Sequence, residues 1–376
     1  MWHEFDAERV RADVRTMSDY GIRVVRTLLP WDAFMPTPLK VADGCLRNLE
    51  FMLATAGEQA MRVIPVLFAH ALGDCVMLPV YAIDVTASRA GVRVLTDAVV
   101  QPGGPRDQYT DSRMLEAAIT WLDTLMRAFA GHPALLCWDF GHDTASVMRP
   151  RRIDDMRQWV ALLATRVHEH GERCMLTFGT RDITQARGVR LGVLAPLLDA
   201  CGCLLTPSLV NAERSNDARW SVFLIQLMQR LLGRDLSCIA NVSASVANDV
   251  ESRAAGADGF DEDRRIRETI DGVIETGCSS ALATSWICCG GRVRDVPPFD
   301  RNSQLALDGL MNATGEPTSF GAAWQKYTSH EREQLMHRPW PYELNIAEYY
   351  SNLPDSLRDL YAMWQDGLTD HPAMLS

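Results

Sequence analysis

The chain has 376 residues, of which 47% are hydrophobic and 23% charged; that is enough apolar material for a large core, and it excludes disordered and collagen-like classes. Its 37 basic and 48 acidic residues give a net charge of −11 without a basic run, which leaves no electrostatic footprint for nucleic acid and makes a neutral or cationic partner the easier fit. The opening Met1-Trp2-His3-Glu4-Phe5-Asp6 carries no basic or apolar leader region and no stretch approaches eighteen consecutive apolar residues, so the sequence predicts a cytoplasmic protein without a membrane span.

Short apolar runs alternate along the chain with longer segments of helical periodicity, the pattern of a parallel sheet with crossover helices. A helix over residues 6–20 leads through Gly21 into a strand at 22–28, and a helix over 46–59 leads into a strand at 63–68. A long connection holding Gly73, Pro79, Gly103, Gly104 and Pro105 follows, of a length that is usually functional or disordered. Next come a helix at 112–130, a strand at 135–140, a helix at 153–170, a strand at 174–178, a short helix at 194–200 and a strand at 203–209. The amphipathic segment 220–232, a strand at 236–242, a helix at 262–276 and a strand at 280–286 bring the count to seven strands. A closed (β/α)₈ barrel needs one more, and nothing strand-like precedes Asp6. Residues 1–328 are thus expected to form one α/β barrel, and the Trp- and Tyr-bearing residues 329–376 a helical tail packing on it.

Ten cysteines stand at irregular spacings, with Cys137, Cys238 and Cys278 in or near strand-like runs, where a free thiol behaves as a small hydrophobe. Neither Cys201 with Cys203 nor the Cys288–Cys289 pair has the spacing of a structural zinc site, so free thiols, no metal and no cofactor are expected. His168 and His170 fall at a helix end, where a protonated imidazole suits the helix dipole; no chemistry is assigned to them.

Met1-Trp2-His3-Glu4-Phe5-Asp6, Gly21 to Arg26 and Trp31-Asp32-Ala33-Phe34-Met35-Pro36 together resemble the opening of a bacterial clan A glycoside hydrolase, family 5-type, of the cellulase and mannanase branch. The likeness recurs at Val66-Leu67-Phe68, His132 to Gly141, Trp286, Pro297-Pro298-Phe299-Asp300 and Asp308-Gly309-Leu310, and in the tail at Ala347 to Tyr350 and Tyr361. Each motif is loose and their order carries the case. The resemblance implies a TIM-type barrel whose first strand lies before "mW..Fd", so the edges at 22–28 and 280–286 are expected to be open unless the tail or a partner covers them.

Such enzymes hold two carboxyl groups at strand C-terminal ends, about 5–5.5 Å apart when they retain configuration. By the resemblance, the acid/base of a "W-D-L-x-N-E" strand corresponds to Asp143, in Trp138-Asp139-Phe140-Gly141-His142-Asp143, with one methylene fewer than glutamate. The nucleophile of a "P-V-L-x-x-E-F-G" strand falls on Ala240 or Asn241, and an amide cannot form and release a glycosyl ester. The sugar-lining "s-x-H-x-Y" strand reads Leu205-Thr206-Pro207-Ser208-Leu209, without its histidine and tyrosine. Arg26, Trp31, Asp139, His142 and Trp286 remain at positions that line a sugar site in the family. The plainer reading makes Arg26 the partner of buried Asp139, and Trp286 core.

Three readings follow. The first is a catalytically impaired protein of the family that retains oligosaccharide, glycoside or protein binding. The second is an active hydrolase with Asp143 as general acid and Asp74, Asp249 or Glu251 activating water. The third is a scaffold whose partner, or second copy, docks at the open barrel edge. The His142-Asp143 dipeptide alone is a weak signal of metal-dependent chemistry, and His70 with Asp74, near the end of the strand at 63–68 where barrels place functional groups, reads more simply as a polar loop after Phe68.

Overall fold

The computed structural model describes residues 2, 4–68, 71–87, 91–144, 148–185, 189–204, 218–233, 236–243, 259–293, 295–301, 305–328, 340 and 342–369. Seven parallel strands form one sheet in chain order: β1 (Val24–Leu28), β2 (Arg62–Val66), β3 (Trp138–His142), β4 (Cys174–Gly179), β5 (Ala200–Leu204), β6 (Ser237–Val242) and β7 (Ser280–Ala283). Sequential order with every neighbour parallel requires a crossover between each pair. These are supplied by α2 (Asp43–Glu58), α3 (Ser112–Phe129), α4 (Ile153–Glu169), α5 (Thr180–Thr184) with α6 (Leu191–Leu194), α7 (Ala218–Leu232) and α8 (Gly259–Glu275), while α1 (Ala7–Asp19) precedes the sheet. The result is a nearly closed, barrel-shaped sheet of the TIM type, as the alternation predicts.

Local chemistry sets the element ends. Asp6 accepts the Arg9 N–H at 3.1 Å and starts α1; Asp111 accepts from Arg113 and Met114 and starts α3. Inside the sheet Ile64, Cys137, Met175, Ile239 and Leu282 pack into one apolar cluster, with Val24 and Ala200 against it. The alternate residues of the same strands face the helices and join the main core, where Trp31, Phe34, Phe68, Trp121 and Trp159 interlock.

Among the described residues, β1 and β7 each pair with one neighbour only, so the sheet has the two edges the sequence predicts. The side of the gap is furnished by α9 (Ser319–Thr328): the Tyr20 hydroxyl donates to Gly321 O at 2.5 Å, and Thr328 Oγ1 to Tyr20 O at 2.9 Å. Gly21 (φ +93°) turns the chain into β1 there, and a Cβ on it would sit 2.6 Å from Thr328 Cβ.

One expectation needs correction, and one segment carries more regular structure than its turn residues announce. Among the described residues of the connection after β2, Ala71–Leu72, Cys75–Met77, Arg93–Thr96 and Val99–Gln101 form a small sheet, and Ile83–Asp84 pairs with Gly104–Pro105. Strands of two to four residues are too short to carry an alternation signal, and the hairpin turn is made by Asp97 and Ala98, both at positive φ. The strand expected at 203–209 runs instead over Ala200–Leu204, and residues 205–209 lie outside the described ones. In the tail, α10 (Ile346–Ser351) and α11 (Asp355–Thr369) pack on the barrel: Trp364 Nε1 donates to Gln226 Oε1 at 2.8 Å, and Tyr361 meets Trp220 edge-on.

Candidate functional site

Above the apolar cluster the inward positions turn polar, and β1, β3 and β4 meet there in one hydrogen-bonded group. Arg26 donates from Nε to Asp139 Oδ2 at 2.9 Å, with Nη2 2.8 Å from the same oxygen. That carboxylate, fully buried, also accepts from Thr177 Oγ1 at 2.6 Å and from the backbone of Gly141 and Thr177 at 3.1 and 3.2 Å. A charge removed from water this completely persists only when paired and fully bonded. Arg26 also reaches His142 Nδ1 at 2.8 Å; a guanidinium only donates, so that nitrogen is the acceptor and the ring proton sits on Nε2.

Asp139 and His142 are three residues apart, a spacing that puts side chains on opposite faces of a regular strand. The register between β3 and β4 shifts, Met175 opposing Asp139 while Thr177 opposes His142. The extra residue in β3 is a bulge, and it turns both side chains toward Arg26. Gly141 lies within it, where a Cβ would be 2.3 Å from Thr144 Cγ2.

Asp143 follows directly, buried and in the left-handed region at φ +55°, which non-glycine residues seldom occupy outside functional or turn positions. Its carboxyl lies against Gly179 at the end of β4, so close that a Cβ there would be 2.2 Å from Oδ1. The Gly179 N–H donates to Asp182 Oδ2 at 3.0 Å. Burial first, and then the Asp143 charge, push the Asp182 carboxyl up to about 7. Asp143, just past β3, and Asp182, in the first turn of α5, thus both lie against Gly179, and the Asp182 carboxyl holds its proton well above the usual carboxylate range. Tail residues stand beside them: Tyr349 donates to Ile183 O at 2.7 Å, and Arg190 lies over the Tyr350 ring.

Gly179→Ala is therefore expected to lower unfolding free energy by about 1–3 kcal/mol through overpacking and to displace Asp143. Gly44→Ala, on a helix with open space around it, is expected to be neutral or slightly stabilising. Equal denaturant midpoints for the two variants would contradict the packing of Asp143 on Gly179.

Asn241 sits on β6 two residues beyond Ile239, on the inward face, and is nearly fully buried. Its Nδ2 donates to Cys203 O at 3.4 Å. Ala240 belongs to the outward set in the main core, so of the two positions left open by the sequence it is Asn241 that faces the barrel interior. At the top of β6, Ser243 bonds to the buried carboxylate of Asp308, from the loop before Gly309–Met311.

The aromatic expectations part company. Trp31 is 1% exposed, stacked on Trp121 and edge-on to Phe68 and Tyr81, so its ring packs as part of the aromatic core. Trp286 is half-buried and edge-on to Tyr20. Asp74, weighed as a water-activating carboxylate, is bound by Arg93 at 2.8 Å, an arginine that also grips Asp300 at 2.7 Å. Burial alone would raise the Asp74 carboxyl, and these bonds outweigh it and hold it below its ordinary value. His70, Asp249 and Glu251 lie outside the described residues. Sequence reasoning missed Thr177, Asp182 and Asp308; the signal for Asp182 is its place three residues past a strand-ending glycine, where barrels put their functional groups.

No family model matches the chain, and no curated protein matches it in sequence. Solved structures do match. A GH5_18 variant from Streptomyces cattleya in complex with Manb1-4GlcNAc superposes with a TM-score of 0.73 at 17% identity, over 90% of this chain and 79% of that one. The fold is similar to that of GH5_18 glycoside hydrolases. A GH5_18 from Bifidobacterium longum subsp. infantis gives 0.69 at 16% identity, over 89% and 76% of the two chains. An exo-beta-1,4-mannosidase from Opitutaceae bacterium strain TAV5 gives 0.70 at 16%, over 87% and 56%. At these identities the likeness is one of fold, and the chemistry has to be argued from the glycoside hydrolase-like barrel's own residues.

Proposed function

We propose that this chain is a glycoside hydrolase-fold protein that binds a β-mannoside-type glycan and has lost double-displacement hydrolysis. The observation that carries the reading is Asn241. The inward position at the end of β6, where the resemblance puts the nucleophile, holds an amide bonded to backbone, and an amide cannot serve as the leaving carboxylate of a glycosyl ester. The ligand class comes from the fold: structures similar to this one include a GH5_18 holding Manb1-4GlcNAc and an exo-beta-1,4-mannosidase. Half-buried Trp286 is the tryptophan with surface left to meet a pyranose.

The test incubates the purified chain with aryl β-glycosides and with manno- and gluco-oligosaccharides, beside Asp143→Ala, and follows tryptophan fluorescence in parallel. No turnover is expected from either protein, together with a saturable fluorescence change on addition of mannose-containing β-oligosaccharides. Turnover by the wild type that Asp143→Ala abolishes sinks the reading.

A second reading is favoured by one feature, the raised Asp182 carboxyl beside Asp143, since a carboxyl that keeps its proton near neutral pH suits a general acid. In that case Asp308 beside Ser243 is the carboxylate to activate water for inversion, and Asp308→Asn abolishes whatever turnover is found.

A further inference from the structure

At the opposite end of β4 from Asp143, three side chains of different elements converge. His168 comes from the last turn of α4, Cys174 is the first residue of β4, and Asp199 immediately precedes β5. His168 Nε2 is 2.8 Å from Asp199 Oδ2 and 3.6 Å from Cys174 Sγ, and the three donor atoms all lie within 4.8 Å of one another. Asp199 Oδ2 also accepts the Cys174 backbone N–H at 2.8 Å, which fixes the carboxylate before any ligand arrives. We propose that His168, Cys174 and Asp199 form a binding site for a zinc-like divalent transition-metal ion.

The chemistry selects the class. Thiolate, imidazole and carboxylate together match zinc and its neighbours, and a hard ion such as magnesium or calcium prefers all-oxygen sets. With metal bonds of about 2.0 Å to N and O and about 2.3 Å to S, neighbouring donors of a tetrahedron stand roughly 3.3–3.6 Å apart. The S···N separation already fits, and the N···O contact opens by about half an ångström when a metal replaces the proton shared there. Binding forms the Cys174 S–metal bond and releases the thiol proton to solvent; the His168 proton passes through solvent from Nε2 to Nδ1, so the imidazole enters neutral, and Asp199 enters ionised. His168 and Asp199 side chains are 44% and 37% exposed, so the ion has an entry path and a fourth position open to water. A bond from sulfur inside the core to two solvent-facing groups staples α4, β4 and β5. The site lies about 16 Å along β4 from the Asp143 pair, on the barrel face associated with stability.

The experiment uses the full chain, stripped with a chelator and titrated with Co²⁺. The expected result is one equivalent giving a sulfur-to-cobalt charge-transfer band in the near ultraviolet, intense visible d–d bands of a four-coordinate ion, and a raised Tm. Cys174→Ser removes the charge-transfer band. His168→Gln, at a largely exposed position that leaves the fold intact, weakens binding at least tenfold. The proposal is overturned if the wild type shows no band at stoichiometric Co²⁺, or if the band survives Cys174→Ser. Loss of the band in Cys278→Ser alone assigns the metal to the Cys238–Cys278 pair, whose sulfurs are 3.7 Å apart, and equally overturns it.

Discussion

The wild type is expected to lose stability with rising pH between about pH 5 and 7, and Asp182→Asn to flatten that fall. Burial and the Asp143 charge raise the folded-state Asp182 carboxyl from 3.8 to about 7. Between those values the folded chain holds a proton that the unfolded chain has released, so stability is fully present at low pH and drains as pH rises, with a slope near 1.4 kcal/mol per pH unit. From pH 5 to 7 the wild type loses about 2 kcal/mol through this group. The asparagine keeps an oxygen for the Gly179 N–H and cannot titrate, so the variant gains on the wild type by that amount over the same interval. Urea unfolding of both proteins at pH 5, 6 and 7 measures it. Parallel pH profiles would show that Asp182 is ionised throughout, and with it would go the raised carboxyl beside Gly179.

Asp139→Ala is expected to cost about 3–5 kcal/mol, the penalty for leaving a buried guanidinium without its counter-charge. The carboxylate accepts contacts from Arg26, Thr177 and Gly141, and its removal leaves an Arg26 side chain only 7% exposed without that partner. The double variant Arg26→Met with Asp139→Leu is expected to recover most of the loss, because an apolar pair of similar volume escapes the desolvation cost. The sum of the single effects should therefore exceed the double effect by well over 1 kcal/mol in a double-mutant cycle. An additive cycle would mean that Arg26 and Asp139 do not act as a pair, and would return Arg26 to the role of a ligand-facing cation.

The sequence by itself determined the parallel α/β barrel, its seven strands to within a few residues apart from β5, and the open edge, because crossover helices and buried strands each impose a periodicity that local composition records. It also ranked Arg26, Asp139, His142 and Asp143 together, since they stand at strand ends or in one short motif. Only the tertiary structure decided which of Ala240 and Asn241 faces inward, since a strand's register depends on its neighbours. It alone placed His142 beside Arg26, through a bulge in β3 of which Gly141 is the one local sign. It took Trp31 into the aromatic core and set Asp182 against Asp143. His168, Cys174 and Asp199 spread over 32 residues without metal-site spacing, and they meet because parallel neighbours bring their N-terminal ends to one face of the barrel. Contacts between side chains far apart along the chain follow from how the sheet closes, and no local pattern encodes that closure.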